Sequence, residues 1–552
     1  MIELHGRGVS NGIAIGTLDY FKSPTENVPK YIIDSPEKEL ERYHNALKQV
    51  KLHFDRLCKE ASNRMSKSES AIFQMHLMIL EDAKFVENVE EIITERKMNA
   101  EFGVSYTSKK LAAIFRDIGD EYLQSRYADV LDAANTLIRI LLDGNGVKEK
   151  KRGEPVIIAA DELMPSETIS LKKEDLLGFA TNSGSQSSHT AILARTMGLP
   201  YVTQIKEPLS QYNGKTAIID GQLGKLFVDP DETTLALYHA KKERYNKQQE
   251  LLKKQIGLPS VTRNGQKVVL SANIGSLDDI SSARNNDTEG IGMFRSEYLF
   301  MHRSKCPSEE EQLEAYKRVI RSFRNSEVVI RTADLGVDRG ISYLDIPEEK
   351  NPAIGFKGIR ISLANHDFFR TQLRALYRAS VYGRLRILFP MVNSMNELDY
   401  VKRIINGIKA ELRAEGKQYN DNVQIGVLVE TPAAALISDE IAEAVDFISI
   451  GTNGLTEYTL ALDNNNRKLE YFYEPYHKGI MRLINYAANN AHKKDKRVML
   501  CGELASDTTM TSTFLAMKID ELVMAPSKIL KVRAKVRETD TTYTKDILAK
   551  YI

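Results

Sequence analysis

The chain has 552 residues, 42% hydrophobic and 27% charged, with a formal net charge of +1. That is ordinary globular composition, long enough for about two to four domains. The near-zero charge excludes bulk electrostatic capture of nucleic acid. No run of about 18 apolar residues offers a membrane span. Three scattered cysteines, Cys58, Cys306 and Cys501, are too few for a disulfide framework or a zinc site. The N-terminal MIELHGRGVSNGIAIG lacks a basic region followed by a long apolar stretch, so the cytoplasm is the expected compartment.

Residues 1–20 alternate apolar with small residues and are glycine-rich, which predicts a strand with turns. Ser35-Pro36 is a helix-start signal, a cap followed by proline in the first turn. Leu40, Tyr43, Leu47, Val50, Phe54 and Leu57 then recur at spacings of three and four, and helical texture runs to about Leu142. This predicts a helical bundle over 35–143. From Pro155 the texture is α/β. VIIAA (156–160) and LLGFAT (176–181) read as buried strands, and TAIIDGQLGKLFVDP (216–230) as a hairpin broken at Asp220-Gly221. If the N-terminal strand joins this sheet, the bundle is an insertion. Residues 231–260 are polar and helical, which suits an exposed connecting helix.

From about Val261 short apolar strands end in polar residues and are followed by helical segments. KVVLSANIG, GIGMFRSE, EVVIRTADLG, LRILFPMVN, QIGVLVETP, DFISIGTNG and RVMLCGELAS fit this rhythm, and an eighth strand is expected near AIGFKGIR. Eight such units predict a (β/α)8 barrel, with its site at the C-terminal strand ends. Those ends carry Arg295 and Glu297, Arg331 and Asp334, Asn393, Glu430, Asn453, Cys501 and Glu503. Arg295 and Arg331, on successive strands, read as a clamp on phosphate or carboxylate. Glu430, ending an apolar strand, reads as a helix cap or as a ligand to a divalent cation. Cys501 reads as a small core residue or, near a carboxylate such as Glu503, as a protonated thiol able to donate a proton.

The stretch NSGSQSSHTAILARTMGLP (182–200) places His189 on a small polar loop before an apolar helix. Free backbone N–H groups and the positive dipole end at a helix start would stabilise a phosphate on the ring. No Ser–His–Asp arrangement is visible nearby, so a nucleophilic histidine is the sharper reading, against a loop histidine without a role.

With these residues in place the chain resembles enzyme I of the phosphoenolpyruvate-dependent sugar phosphotransferase system, nearly end to end. MPSETISL, SSHTAILAR, GIGMFRSEYLFM, RTADLG, QLRALYRAS, LFPMV, VETPAAAL, SIGTNGLTEYTLALD and LCGELASD occur in that family's order. The resemblance implies a swivelling phosphohistidine α/β domain (1–34 and 144–230) with an inserted helical bundle (35–143) that docks the histidine phosphocarrier HPr. It further implies a linker helix (231–260) and a dimeric phosphoenolpyruvate-binding barrel (261–552). His189 is implied to take phosphate from phosphoenolpyruvate and pass it to HPr, and Cys501 to protonate the enolate. Mg²⁺ is the implied cofactor, with Glu430 as a ligand. Arg295, Arg331, Arg339, Lys357, Asn453, Gly454 and Asn464 fall at substrate-binding positions, and the implied assembly is a homodimer. Met78 and Ile79 beside His76 in an apolar helix, with Leu123 and Arg126 on a later helix, are the candidates for the HPr dock, against a plain core role for Met78 and Ile79.

Several positions depart from the family pattern. Its Gly-Gly-Arg-Thr-Ser-His reads Gly184-Ser185-Gln186-Ser187-Ser188-His189, without the cation. Its GTNDL, whose aspartate is a metal ligand, reads GTNGL with Gly454. Its AVDRGN reads ALDNNN with Asn464, its GWRAIR reads GFKGIR with Lys357, and its GGDK reads GVDR with Arg339. Two functions are therefore expected as alternatives. One is an active, slower phosphotransferase; the other is a degenerate relative that retains binding and serves as a regulatory protein.

Overall fold

The computed structural model describes the chain except residues 22–27, 65–66, 118–120, 144–153, 170, 185–187, 302, 304, 338–340, 342, 345, 348, 350, 352–353, 464–465 and 552. Gln186, Arg339 and Asn464 thus lie outside the described residues, as do the side chains of Leu123, Arg126 and His189. The chain divides into two compact units, Met1–Gln249 and Glu250–Ile552.

In the first unit the N-terminal segment forms three strands rather than one: β1 (Ile2–His5), β2 (Arg7–Ser10) and β3 (Ile13–Tyr20). They join β4 (Val156–Ala160), β5 (Leu176–Thr181), β6 (Tyr201–Thr203), β7 (Thr216–Asp220) and β8 (Lys225–Val228) in one sheet of order β1-β8-β7-β3-β4-β5-β6-β2. β7 and β8 form the expected antiparallel hairpin, with Asp220 paired to Lys225. Asp220 Oδ1 accepts from the N–H groups of Gln222 (3.2 Å) and Leu223 (3.0 Å), a side-chain-stabilised turn. Gly221 is required there by proximity: a Cβ on it would lie 1.9 Å from the Ser10 carbonyl oxygen, where β2 crosses the hairpin.

Five helices intervene between β3 and β4: α1 (Pro36–Arg64), α2 (Lys67–Leu80), α3 (Ala83–Thr94), α4 (Ala100–Asp117) and α5 (Glu121–Asp143). The three-four stripe of α1 does become core. Tyr43, Val50, Phe54 and Leu57 are buried, with Leu40 and Leu47 packed at the margin. Arg42 ties α1 to α4 by a paired contact with Glu101 (2.7 and 2.8 Å) and a bond to the Leu141 carbonyl (3.0 Å). Two further helices, α6 (Pro165–Ile169) and α7 (His189–Met197), flank the sheet, and α8 (Glu232–Lys253) follows β8. Tyr238 is the buried residue of α8, as its polar sequence requires.

The second unit is a closed barrel of eight parallel strands: β9 (Val269–Ile274), β10 (Ile291–Arg295), β11 (Glu327–Arg331), β12 (Arg384–Phe389), β13 (Gln424–Val429), β14 (Phe447–Gly451), β15 (Arg497–Cys501) and β16 (Glu521–Met524). Seven are the strands expected from sequence. The eighth is not near AIGFKGIR. That stretch is a bend leading into the helix Ile359–Ala364, and its Gly355 and Gly358 have φ of +133° and +56°. Closure comes from β16, four residues long, which pairs with both β15 and β9. Met293, Val329, Leu388, Leu428, Phe447, Met499, Cys501 and Val523 form one buried cluster, as expected of side chains that fill a barrel interior. Among the described residues, no helix is long and apolar enough to cross a membrane.

Candidate functional site

The strand ends at one mouth of the barrel gather most of the polar residues singled out above. Arg295 and Arg331 end β10 and β11 and are direct register partners. Their surroundings differ. Arg331 is 8% exposed, whereas Arg295 is exposed, with its guanidinium over Gly275, where a Cβ would lie 2.5 Å from Nη2. Arg331 Nε donates to Glu297 Oε1 at 3.2 Å, Nη2 forms an ion pair with the same oxygen at 3.0 Å, and Nη1 pairs with Asp334 Oδ2 at 3.0 Å. Burial opposes the Arg331 charge, but Glu297, Asp334 and Glu430 more than offset it and raise its pKa.

Glu430 follows β13. Its Oε2 accepts the Met391 N–H at 3.3 Å, and its Oε1 accepts no hydrogen bond from the described residues. Burial pushes this carboxyl up to about 7, reinforced by Asp334 and opposed by Arg331 and Lys357. Lys357 donates to the Tyr458 hydroxyl at 3.2 Å. Burial pulls its pKa down, yet Asp334, Tyr458 and Glu430 together hold it above its ordinary value. One Asp334 oxygen, Oδ1, is buried without a hydrogen bond.

Cys501 ends β15 and is 4% exposed. Burial pushes its thiol up to about 12, despite the Ser449 hydroxyl donating to Sγ at 3.7 Å. The carboxylate acting on it is Glu430, not Glu503 as expected from sequence. Asn453 and Gly454 lie in the first turn of the helix Thr452–Leu460, directly after β14. Asn453 is exposed, and its Oδ1 accepts the Glu503 N–H at 3.0 Å. Gly454 has no positive φ, and a Cβ there would sit 3.1 Å from Glu430 Cβ. Asn393 lies on the same rim, its Nδ2 donating to the Met391 carbonyl at 2.8 Å.

The divalent cation implied by the resemblance can be tested against these donors. Mg²⁺ is held by one or two carboxylates together with phosphate oxygens and water. Glu430, with its unbonded Oε1, fits one such ligand. Among the described residues no group of three or more His, Cys, Asp or Glu forms a cage.

In the other unit, His189 is the first residue of α7, after Ser188, whose side chain accepts the Ala191 N–H at 3.3 Å. The helix ends at Gly198 in the left-handed region (φ +68°). On the bundle, Met78 is 72% exposed while His76 is fully buried, so the core reading fails for Met78. Met78 and Ile79 line a groove of about 640 Å³ together with Met75, Phe85, Tyr106 and Lys110.

The sequence missed Glu297 and Asp334 as partners of Arg331, and Ser449 and Tyr458 as partners of Cys501 and Lys357. Glu297 and Asp334 carried the available signal, charge at a strand end. Ser449 and Tyr458 carried none, because each touches a residue more than 50 positions away.

Three family descriptions match in chain order: PEP-utilising enzyme, N-terminal, over 5–126; mobile domain, over 152–224; and PEP-binding domain, over 249–541. Phosphoenolpyruvate-protein phosphotransferase of Bacillus sp. (strain S) is 37% identical over 97% of this chain and 93% of its own. The protein of that name from Bacillus subtilis (strain 168) is 37% identical over 97% and 94%. The one from Staphylococcus carnosus is 35% identical over 99% and 95%. On this likeness, spanning both units, the chain belongs to the phosphoenolpyruvate-protein phosphotransferase, or enzyme I, family of phosphoenolpyruvate-utilising enzymes.

Proposed function

We propose that the protein is a phosphoenolpyruvate-protein phosphotransferase that phosphorylates itself on His189 and passes the phosphoryl group to the carrier HPr. The observation carrying this reading is the barrel mouth, where Arg331, Lys357 and Glu430 stand with a thiol held protonated by burial. Phosphoenolpyruvate brings a phosphate and a carboxylate. Arg295, Arg331 and Lys357 supply the countercharge beside Asn453 and Gly454, and the family resemblance adds Arg339 and Asn464 to this set. The bond from phosphorus to the enol oxygen breaks as a bond to an imidazole nitrogen of His189 forms. The electron pair left on the enolate takes the Cys501 proton at carbon, giving pyruvate, and the thiolate regains its proton from solvent. Mg²⁺, when bound, neutralises phosphate charge, and Glu430 is the residue that would hold it. A helix start offers backbone N–H groups to a phosphate, which suits a histidine that must visit two partners in turn.

The groove beside Met78 supports docking of HPr on the bundle, since an exposed methionine with flanking charge suits a transient interface. The barrel unit is taken to carry a homodimer, on family resemblance, and the cytoplasm to be where the protein works. The test is transfer of labelled phosphate from phosphoenolpyruvate, with Mg²⁺, to wild type and to His189→Ala. Label is expected in wild type alone; equal labelling of the variant overturns the assignment.

A further inference from the structure

An anion-binding pocket gains nothing electrostatically from carboxylates, yet Arg331 carries two. Glu297 is 5% exposed, and its Oε1 is a shared acceptor. It accepts Arg331 Nε–H (3.2 Å) and the Asp334 backbone N–H (2.8 Å) and lies in ion-pair contact with Arg331 Nη2 (3.0 Å). The neighbouring Ser296 hydroxyl donates to the Arg331 carbonyl at 2.7 Å and accepts from Gln372 Nε2 at 3.0 Å. Gln372 in turn accepts the Ala333 N–H at 3.0 Å. Backbone and side chain of Arg331 are thus fixed together from the segment that follows β10.

From this geometry we propose that Glu297 is the positioning residue of the site. It holds the Arg331 guanidinium by its Nε–Nη2 edge, so that the remaining N–H groups meet the substrate anion in one orientation. A guanidinium has five N–H groups. Glu297 takes the Nε–H, and the two terminal nitrogens, each 3.0 Å from a carboxylate oxygen, keep N–H groups for the substrate. N–H groups on two neighbouring nitrogens can meet two oxygens of a phosphate or carboxylate. A free arginine would lose rotamer freedom on binding; one already clamped does not, and this offsets the attraction that Glu297 cancels. The clamp is local to β10 and β11, whose register places Arg295 opposite Arg331.

This rests on the reading that Arg331 contacts phosphoenolpyruvate. The test is calorimetric titration of phosphoenolpyruvate, with Mg²⁺, into the full chain carrying His189→Ala, so that binding is read without turnover. Four further changes are added to that background: Glu297→Gln, Glu297→Asp, Arg331→Lys and the pair Glu297→Gln/Arg331→Lys. Glu297→Gln is expected to weaken binding about tenfold, with Glu297→Asp partly restoring it. The pair is expected to bind no more weakly than Arg331→Lys alone, because Glu297 acts through Arg331. Wild-type affinity in Glu297→Gln, or losses that multiply in the pair, overturns the proposal. Wild-type affinity in Arg331→Lys overturns both the proposal and the substrate role of Arg331. If Glu297→Gln does not fold, Glu297→Asp paired with Arg331→Lys decides in the same way. Failure of the phosphotransferase reading shows separately, as no transfer of label from phosphoenolpyruvate to the protein with His189 intact.

Discussion

Restoring an acid at residue 454 is the sharpest test of the cation site. Gly454 is in a right-handed helix, so Gly454→Asp meets no backbone strain of the left-handed kind. Its Cβ would lie 3.1 Å from Glu430 Cβ and 3.5 Å from Glu430 Oε1, a contact relieved by a small shift. The two carboxylates would then be about 5 Å apart, costing roughly 3 kcal/mol at an effective dielectric of about 20. Leaving glycine behind gains about 0.3 kcal/mol in helix propensity, and an acid in the first turn gains about 0.5 kcal/mol from the dipole. The net cost without a cation is about 2 kcal/mol, or roughly 4 °C of melting temperature for a unit of this size. A divalent cation between the carboxylates reverses the sign. Scanning calorimetry at pH 9.5, where the Glu430 carboxyl with its value of about 7 stays ionised even against that repulsion, should show the variant melting about 4 °C below wild type in chelator. In millimolar Mg²⁺ it should melt at or above wild type. Equal melting in chelator, with an equal response to Mg²⁺, would refute the placement of residue 454 against Glu430.

Three other outcomes are expected. With its thiol at about 12, Cys501 should be alkylated by iodoacetamide about tenfold faster for each pH unit up to pH 10, read by peptide mass; a plateau near pH 8 contradicts that environment. Glu167, buried and facing Asp132, is raised to about 7. Its folded value exceeds its unfolded one, so the linked stability is full below about pH 4 and lost as pH rises through 7. The loss is on the order of 3 kcal/mol. Melting of the first unit should therefore fall between pH 5 and 8 in wild type and stay flatter in Glu167→Gln; parallel curves count against it. Met78→Ala, at a 72% exposed position, should leave melting unchanged but raise the KM for HPr about tenfold. Unchanged transfer kinetics would remove Met78 from the dock.

Much of the fold was legible because the signals are local. A cap followed by proline starts α1, a three-four stripe buries its face, and an Asp-Gly turn makes the β7–β8 hairpin. Seven barrel strands were legible as apolar runs ending in charge. The eighth was not, because four residues of ELVM look no more strand-like than AIGFKGIR; only closure against β9 selects it. In α2, apolar character alone does not separate exposed Met78 from its buried neighbours, and fully buried His76 inverts the usual polarity. At the site, the individual residues were legible but not their pairings. Which carboxylate acts on Cys501 depends on the neighbouring strands of the barrel, and it is residue 430 rather than residue 503.

The sheet order of the first unit has a consequence for synthesis. β1 and β3 emerge early, yet their antiparallel partners β8 and β7 follow about 200 residues later. At about 5–20 residues per second the ribosome takes about 10–40 s to deliver them. Through that interval the first three strands have no complete sheet to enter, while the five helices between them, rich in near-neighbour contacts, can already fold. The bundle is then a finished body before the sheet that carries it exists. Those early strands must be kept from pairing elsewhere until residues 201–228 leave the tunnel.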